Sequence, residues 1–169
     1  MKSEILEAKG KALNPLRQAT LVFLVKENQI LLAMKRRGFG VNLWNGVGGK
    51  ITDGESVENA AKREANEEIG INLLSINKVA TLNFYFSDKP DWNQQVVVYL
   101  SDSWNGTPKE SEEMSPKWFD INEIPYDKMW DDDIHWLPDV LKGINIEADF
   151  LFNEEQKMIE KDVRKITLR

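Results

Sequence analysis

The stretch GGKITDGESVENAAKREANEEIGI, residues 48–71, decides the fold of this chain. It predicts an amphipathic helix, because small and aliphatic side chains recur along one face at helical spacing: Val57, Ala60, Ala61, Ala65 and Ile69. Ser56 has a side chain that suits the N-cap position, and Gly70 suits the C-cap. The helix is therefore predicted to begin after Ser56 and to end before Gly70.

The same helix places three glutamates on one face: Glu64, Glu67 and Glu68. Like charges at these spacings repel one another, so the helix loses stability unless a cation lies among them. Carboxylate oxygens suit Mg²⁺, with Mn²⁺ as the alternative. Arg63 can hold one of the carboxylates, and Glu55 precedes the helix and can fold back toward this face. Taken without its surroundings, such a charge cluster is more often a solvated acidic helix face.

Five glycines lie between residues 38 and 49, just before the helix. They predict a loop or a distorted strand whose backbone can approach other groups closely. We expect the carbonyl of Gly48 to bind the metal ion. We expect the backbone N–H groups of Gly48, Gly49 and Lys50 to bind phosphate oxygens.

The spacing of these residues resembles the signature of the Nudix hydrolases. From Gly49 to Ile71 the chain follows the pattern G-x5-E-x7-R-E-x2-E-E-I-G-I. The resemblance implies an α/β (α+β) Nudix fold, in which a curved mixed β-sheet lies between two main helices. It implies metal-dependent hydrolysis of a nucleoside diphosphate linked to another group. The catalytic residues that it implies are Glu55, Arg63, Glu64, Glu67 and Glu68, with Glu67 or Glu68 as the general base.

The resemblance extends across residues 18–169 to the Nudix hydrolases that act on oxidised purine nucleoside triphosphates. It rests on MKRRGFGVNLWNGVGGK (34–50), GTPKESEEM (106–114) and PYDKMWDDDIHWLP (125–138). It implies that 8-oxo-dGTP, 2-hydroxy-dATP and O6-methyl-dGTP are hydrolysed to monophosphate and pyrophosphate, which keeps damaged nucleotides out of DNA. Glu113 is implied as a further metal ligand. The implied substrate-binding residues outside the glycine-rich segment are Thr20, Lys35, Phe39, Asn45, Phe84, Trp130, Asp132 and Asp133.

These side chains make chemical sense for a purine pocket. The Asn45 amide both donates and accepts hydrogen bonds, as reading a base edge requires. Stacking of a flat base on Phe39 or Trp130 is worth roughly 1–3 kcal/mol per base. If Asp132 and Asp133 both enter an apolar pocket, burial and mutual repulsion raise at least one pKa. A protonated carboxyl then donates to a purine carbonyl while its neighbour accepts from ring N–H groups.

Several of these residues also have a purely structural interpretation. Trp130 belongs to a residue type that is more often found in a core. The run WDDD suits the N-terminus of a helix, and Asn45 can organise a turn. Residues 35–37 can form a solvated basic patch or attract a triphosphate. Three successive aspartates at 131–133 leave open which two enter a pocket.

Composition narrows the classes of function. The net charge of −6 disfavours binding of a nucleic acid polymer, and no apolar run approaches the ~20 residues that span a membrane. The chain has no cysteine, which excludes disulfides and thiolate nucleophiles, and its single histidine, His135, excludes a two-histidine metal site. We expect a cytoplasmic monomer whose partner is a small-molecule purine nucleoside triphosphate.

The pattern along the 169 residues predicts one domain over residues 17–169, preceded by a flexible or loosely docked N-terminal extension over residues 1–16. A hairpin is predicted around residues 27–29, and a second helix over 131–143, where Pro138 bends the helix or sets its start. The other predicted strands are 73–86, 94–101, a short one within 116–125, and one or two within 144–168.

Two other functions remain open at this point. The chain can be a Nudix pyrophosphatase for another nucleotide, such as a different modified dNTP or a dinucleoside polyphosphate. It can also be a catalytically silent, nucleotide-sensing domain. The complete set of signature glutamates and Arg63 argues against the silent domain, and turnover with magnesium distinguishes the two classes.

Overall fold

A computed structural model describes residues 4–12 and 15–167 of the chain. It divides into two compact units, the first made of residues 1–19, 79–97 and 131–169, the second of residues 20–78 and 98–130. Residues 1–3 and 13–14 of the predicted extension, and residue 168 of the last predicted strand, lie outside the described residues. A single domain over residues 17–169 stays a prediction.

In the described residues, eight strands with parallel and antiparallel pairing accompany three α-helices, which confirms the predicted mixed α/β architecture. The strands are β1 (Arg17–Lys26), β2 (Gln29–Lys35), β3 (Trp44–Asn45), β4 (Asn72–Phe86), β5 (Gln94–Asn105), β6 (Met114–Asp120), β7 (Asn145–Phe152) and β8 (Met158–Ile166). The helices are α1 (Glu4–Lys11), α2 (Val57–Ile69) and α3 (Leu137–Leu141).

The second unit is organised around β2. This strand pairs antiparallel with β1 through the predicted hairpin, with β3, and with β6 over seven residue pairs from Gln29↔Asp120 to Lys35↔Met114. Its four central residues are buried: Ile30, Leu31, Leu32 and Ala33. Their burial follows from the apolar run that predicted the strand, because a strand covered on both faces is apolar throughout.

The helix α2 in this unit has the predicted boundaries. The Ser56 hydroxyl accepts a hydrogen bond from the Asn59 backbone N–H at 3.1 Å, so one of the exposed donors of the first turn is satisfied. Gly70 adopts a left-handed conformation with φ of 71°, and its N–H donates to the Asn66 carbonyl. One face is buried, and it carries Ala60, Ala61, Ala65, Glu68 and Ile69. A glutamate among these apolar residues is the unusual feature of the helix.

In the first unit, β7 lies between two partners. It pairs in parallel with β4, from Ala80↔Ile146 to Phe86↔Phe152, and antiparallel with β8. The alternating side chains of β4 and β7 place Phe84 and Phe150 together, with ring centroids 5.6 Å apart. These strands confirm the predictions for residues 73–86 and for the C-terminal tail.

The helix α1 lies where the sequence predicted a flexible or loosely docked extension. Ile5 is buried and packs with Tyr85 and Leu151, while the Lys9 ammonium contacts the Asp149 carboxylate at 2.7 Å. The described part of the extension is thus a docked helix in this structure. The contacts that order it come from β4 and β7, which lie far away in the sequence.

The second helix predicted over residues 131–143 is confirmed only in its C-terminal part, because the α-helix begins at Leu137 and not at residue 131. A 3-10 turn over Asp133–His135 precedes α3, which has only five residues. Trp136 between them has φ of −135°, outside the helical region, and Pro138 lies in the first turn of α3. Proline lacks a backbone N–H, so it sets the start of α3, which is one of the two roles predicted for it.

Across residues 4–12 and 15–167, none of the helices is both long and apolar enough to cross a membrane.

Candidate active site

Arg63 is the centre of the charged face of α2. Its guanidinium donates to both oxygens of Glu55, at 2.8 Å from Nε and 3.0 Å from Nη2. Nη1 donates to Glu64 at 2.9 Å and to Glu67 at 3.1 Å. Nη2 also donates to the Lys50 carbonyl at 3.1 Å, which ties the glycine-rich segment to the helix. One arginine therefore orients three of the predicted catalytic carboxylates.

Glu55 is held more firmly than the other carboxylates that contact Arg63. The side-chain hydrogen bond from Arg63 lowers the pKa of Glu55 to about 2, with the Thr52 backbone N–H and hydroxyl contributing to the same direction. The same hydrogen bond, which Arg63 donates to Glu55, raises the pKa of Arg63. Glu55 is thus ionised at neutral pH and holds the guanidinium of Arg63 through two hydrogen bonds.

Glu68 is the predicted catalytic residue that lies deepest. It is 7% exposed, and its Oε2 has no hydrogen-bond partner among the described residues. Burial, the negative charge of Glu64 and a hydrogen bond with Glu64 together raise the pKa of Glu68 to about 8, against the opposing effects of the Gly48 backbone and the Lys35 charge. A buried carboxylate oxygen without a partner, next to a second carboxylate, is the arrangement that a divalent cation satisfies.

Gly48 and Gly49 allow the backbone to lie against this pair of carboxylates. A Cβ atom at Gly48 would lie 1.9 Å from the Thr20 carbonyl oxygen, and one at Gly49 would lie 2.6 Å from Oε1 of Glu64. The Thr20 N–H donates to the Gly49 carbonyl at 2.9 Å. The close approach predicted from the glycines therefore occurs, and a side chain at either position would disturb it.

As the side chains stand, no three His, Cys, Asp or Glu residues within the described ranges are grouped so that they could hold a metal ion. Arg63 draws Glu64 and Glu67 toward itself. The donor set still fits a hard divalent cation, because the orphaned oxygen of Glu68 lies beside Glu64 and the segment at Gly48. Metal binding here would require Glu64 and Glu67 to exchange contacts with Arg63 for contacts with the ion.

Glu113, the predicted further metal ligand, is found elsewhere. Its Oε1 lies 3.2 Å from Nη2 of Arg37, and both side chains are exposed. Its carbonyl accepts a hydrogen bond from the Arg36 backbone N–H at 2.8 Å. The structure thus pairs Glu113 with a basic residue at the end of β2 and does not group it with the carboxylates of α2.

Two aromatic residues predicted for base stacking contact each other in the second unit. The rings of Phe39 and Trp130 have centroids 4.9 Å apart and are inclined by 39°. A Cβ at Gly40, which has φ of 83°, would lie 3.3 Å from Nε1 of Trp130. Asn45 is half-buried in β3, and its Oδ1 accepts a hydrogen bond from the Gly46 N–H at 2.8 Å. The amide oxygen of Asn45 thus helps to organise a turn, as its structural interpretation expected.

The three successive aspartates in the first unit have different surroundings. Asp132 and Asp133 are 2% and 3% exposed, whereas the half-buried Asp131 accepts a hydrogen bond from the Met158 N–H at 3.1 Å. Burial raises the pKa of Asp132 to about 6, although the Trp136 indole N–H donates to its Oδ2 at 2.8 Å and opposes the shift. Asp132 and Asp133 are therefore the buried pair.

The remaining predicted pocket residues fall in both units. Phe84 in the first unit joins a row of aromatic rings with Phe150 and Phe152. In the second unit, Thr20 is buried in β1, and Lys35 ends β2 close enough to Glu68 to affect its pKa.

Comparison with known proteins decides the family. The NUDIX domain profile matches residues 15–140. The chain belongs to the NUDIX domain family. It is 38% identical over 147 residues to the mouse protein named oxidized purine nucleoside triphosphate hydrolase, covering 87% of this chain and 94% of that one. It is 40% identical over 141 residues to the zebrafish protein of the same name, covering 83% of this chain and 90% of that one.

A solved Nudix structure shares the fold. The mutator MutT protein from Bacillus halodurans has a TM-score of 0.76, covers 88% of this chain and 97% of its own, and is 22% identical. The predictions of the Nudix fold and of a Nudix hydrolase are confirmed. Nudix hydrolases generally use divalent metal ions.

Sequence reasoning missed three contacts in this Nudix domain. Thr52 supports Glu55, Trp136 donates to Asp132, and Arg37 holds Glu113. The first two partners are three and four residues apart, so a search for polar side chains at turn spacing would have found them. The third pair is separated by 76 residues, and only the complementary runs KRR and ESEE pointed to it.

Proposed function

We propose that this Nudix hydrolase converts oxidised purine nucleoside triphosphates to nucleoside monophosphate and pyrophosphate with Mg²⁺, or Mn²⁺ as the alternative. Its substrates would include 8-oxo-dGTP, 2-hydroxy-dATP and O6-methyl-dGTP. The observation that carries the chemistry is the buried, partnerless oxygen of Glu68 beside Glu64. The names of the mouse and zebrafish relatives support the substrate class.

The bound metal ion would neutralise charge on the phosphate oxygens and lower the pKa of water. Glu64, Glu67 and Glu68 are the proposed ligands from α2, with the Gly48 carbonyl and Glu113 as further ligands. Arg63 keeps the carboxylates oriented, because Glu55 fixes its guanidinium from below. The arginine and its anchor thus act on catalysis by positioning.

Glu68 and Glu67 remain the two candidates for the general base. Without metal, burial and the neighbouring Glu64 raise the pKa of Glu68 to about 8. A bound cation would lower that pKa, so that the carboxylate would be ionised and able to accept a proton from water. Glu67 is exposed and pairs with Arg63, an arrangement that suits a metal ligand better than a general base.

The triphosphate is proposed to lie along the glycine-rich segment. Backbone N–H groups of Gly48, Gly49 and Lys50 are the proposed donors to its oxygens. The Lys35 ammonium adds positive charge near Glu68. Because the net charge of the chain is −6, these local positive groups and the metal ion are what make binding of an anionic substrate favourable.

Base recognition is proposed to rest on aromatic, amide and carboxyl side chains, with Thr20 and Phe84 as additional contacts. Phe39 and Trp130 offer aromatic faces for stacking, and Asn45 offers its amide group. Asp132, with its pKa raised to about 6, exists in both protonation states near neutral pH. It can therefore donate to the carbonyl of an oxidised guanine or accept from an oxidised adenine, while Asp133 accepts from ring N–H groups.

The test is product analysis with purified protein, Mg²⁺ and 8-oxo-dGTP. We expect 8-oxo-dGMP and pyrophosphate in equal amounts, resolved by ion-exchange chromatography and ³¹P NMR. Glu68→Gln should reduce turnover by about 10² or more, as loss of a general base does. Glu58→Gln, an exposed glutamate of the same helix, is the matched control and should retain activity. Absence of turnover in the unmodified protein, or release of orthophosphate, would contradict the proposal.

A further inference from the structure

Arg37 and Glu113 form an ion pair just beyond the end of β2. Their nearest atoms, Nη2 and Oε1, are 3.2 Å apart, and the two side chains are 60% and 52% exposed. Glu112 lies 3.8 Å from the same nitrogen. Exposed pairs of this kind contribute about 0.2–1 kcal/mol, so Glu113 can leave Arg37 at little cost.

The backbone around Glu113 is fixed from the side of β2. The Arg36 N–H donates to the Glu113 carbonyl at 2.8 Å, and its guanidinium donates to the Ser111 carbonyl at 3.2 Å and to Glu110 at 2.7 Å. The next residue, Met114, pairs in register with Lys35. The backbone of Glu113 is therefore held one residue before Met114, which pairs with Lys35.

The same segment is fixed from the side of α2. The Lys109 N–H donates to the Ile69 carbonyl at 2.9 Å, and a Cβ at Gly106 would lie 3.2 Å from the Gly70 carbonyl oxygen. The segment is thus tied at one end to the C-terminus of the catalytic helix and at the other to the end of β2. With its backbone held at both ends, Glu113 changes partner most easily by rotation of its side chain.

We propose that Arg37 is a positioning residue that competes with the divalent metal ion for Glu113. When a triphosphate reaches the site, its oxygens give Arg37 a substitute anion, and Glu113 turns to the metal. Each charge keeps an opposite partner in this exchange, so the exchange needs little free energy. Arg37 thereby couples binding of the triphosphate to binding of the metal. This inference rests on the proposed function, in which Glu113 is a metal ligand.

The first test measures Mn²⁺ affinity by electron paramagnetic resonance, without substrate or turnover. Arg37→Gln should tighten Mn²⁺ binding by about 1.4- to 5-fold, which corresponds to removal of an exposed ion pair. Arg37→Lys, which retains the charge, should bind Mn²⁺ nearly as the unmodified protein does. Thermal unfolding of each variant shows whether the fold is intact, which the exposure of both side chains predicts.

A double-mutant cycle separates this pairing from a general effect of charge. In a Glu113→Gln background, Arg37→Gln should leave Mn²⁺ affinity unchanged, because Arg37 then has no Glu113 carboxylate to hold away from the metal ion. The same tightening in both backgrounds would show a general charge effect and overturn the proposal. Unchanged or weakened Mn²⁺ binding in Arg37→Gln alone would overturn it as well.

The second test adds a non-hydrolysable purine triphosphate analogue to the same titration. The analogue should increase Mn²⁺ affinity more in the unmodified protein than in Arg37→Gln, because only the former has a pair to break. Equal increases would overturn the coupling. The two failures are distinguishable. If the proposed function is wrong, 8-oxo-dGTP is not turned over. If only this inference is wrong, turnover is present but Arg37→Gln has no Glu113-dependent effect on Mn²⁺ affinity.

Discussion

Glu68 lies one helical turn from Glu64 on α2, and the negative charge of Glu64 acts on a carboxyl group that burial already disfavours as an anion. Two carboxylates at i and i+4 destabilise a helix, and burial of one of them adds a desolvation penalty. The fold keeps both residues at the edge of a glycine-lined segment. A cation at this position would compensate both costs.

The stability of protein prepared without metal should fall as the pH rises toward the pKa of Glu68. Its folded pKa of about 8 is above its ordinary value of 4.5, so the folded state holds the proton more tightly than the unfolded state. Stability is therefore highest below about pH 4.5 for this group and declines between pH 4.5 and 8. Glu68→Gln should remove that decline and be more stable at pH 9 by about 1–3 kcal/mol. Urea unfolding in EDTA at pH 5, 7 and 9 measures this, and parallel curves for the two proteins would contradict it.

The two neighbouring glycines should respond differently to alanine. At Gly48 the added Cβ meets the Thr20 backbone, so Gly48→Ala should lower stability by about 2 kcal/mol or more. At Gly49 it meets the end of the Glu64 side chain, which can move, so Gly49→Ala should fold but bind Mn²⁺ about tenfold more weakly. Thermal unfolding and Mn²⁺ titration of the two variants give the comparison. Equal losses of stability would show that Gly49 has no special relation to Glu64.

The helix α1 should depend on Lys9. Asp149 is 1% exposed and accepts from Lys9, Arg164 and Asn83, so removal of one cation leaves a buried carboxylate with fewer partners. Lys9→Met should destabilise the protein by about 1–3 kcal/mol and increase hydrogen exchange in α1. Lys11→Met on the same helix is the control and should have little effect. Rapid exchange of α1 amides in the unmodified protein would instead favour the flexible form of the predicted extension.

Asp132 should affect base selection rather than metal use. Asp132→Asn cannot change its protonation state, so the ratio of kcat/KM for 8-oxo-dGTP and 2-hydroxy-dATP should change by about tenfold, equivalent to ~1.4 kcal/mol. The Mg²⁺ dependence should stay the same. Asp127→Asn, an exposed aspartate nearby in the sequence, is the control. An unchanged ratio with intact folding would remove Asp132 from base recognition.

The features that were predictable from sequence are those that local interactions determine. The limits of α2 follow from Ser56 and Gly70, and the clustering of its glutamates follows from helical spacing. Features that depend on distant partners were missed. The helix α1 is ordered by Tyr85, Asp149 and Leu151, and the sequence of residues 1–16 does not predict those contacts.

The break between the 3-10 turn and α3 shows the same limit at shorter range. The aspartates and apolar residues over 131–143 have helical spacing. The indole N–H of Trp136 nevertheless donates to the buried Asp132, and the backbone of Trp136 is not helical. Burial of a charged group thus overrides helix propensity there. Of the three aspartates, Asp131 is bound by the N–H of Met158, which lies 27 residues away, and this contact is not predictable from the local sequence.

The most direct test of the central claim is kcat/KM with Mg²⁺ for 8-oxo-dGTP, 2-hydroxy-dATP, O6-methyl-dGTP and unmodified dGTP. The account predicts that the damaged purines are preferred over dGTP by about tenfold or more, equivalent to at least ~1.4 kcal/mol of transition-state binding. Equal kcat/KM for all four nucleotides would contradict the assignment of oxidised purines as substrates, and turnover of none would contradict the proposed hydrolysis as well.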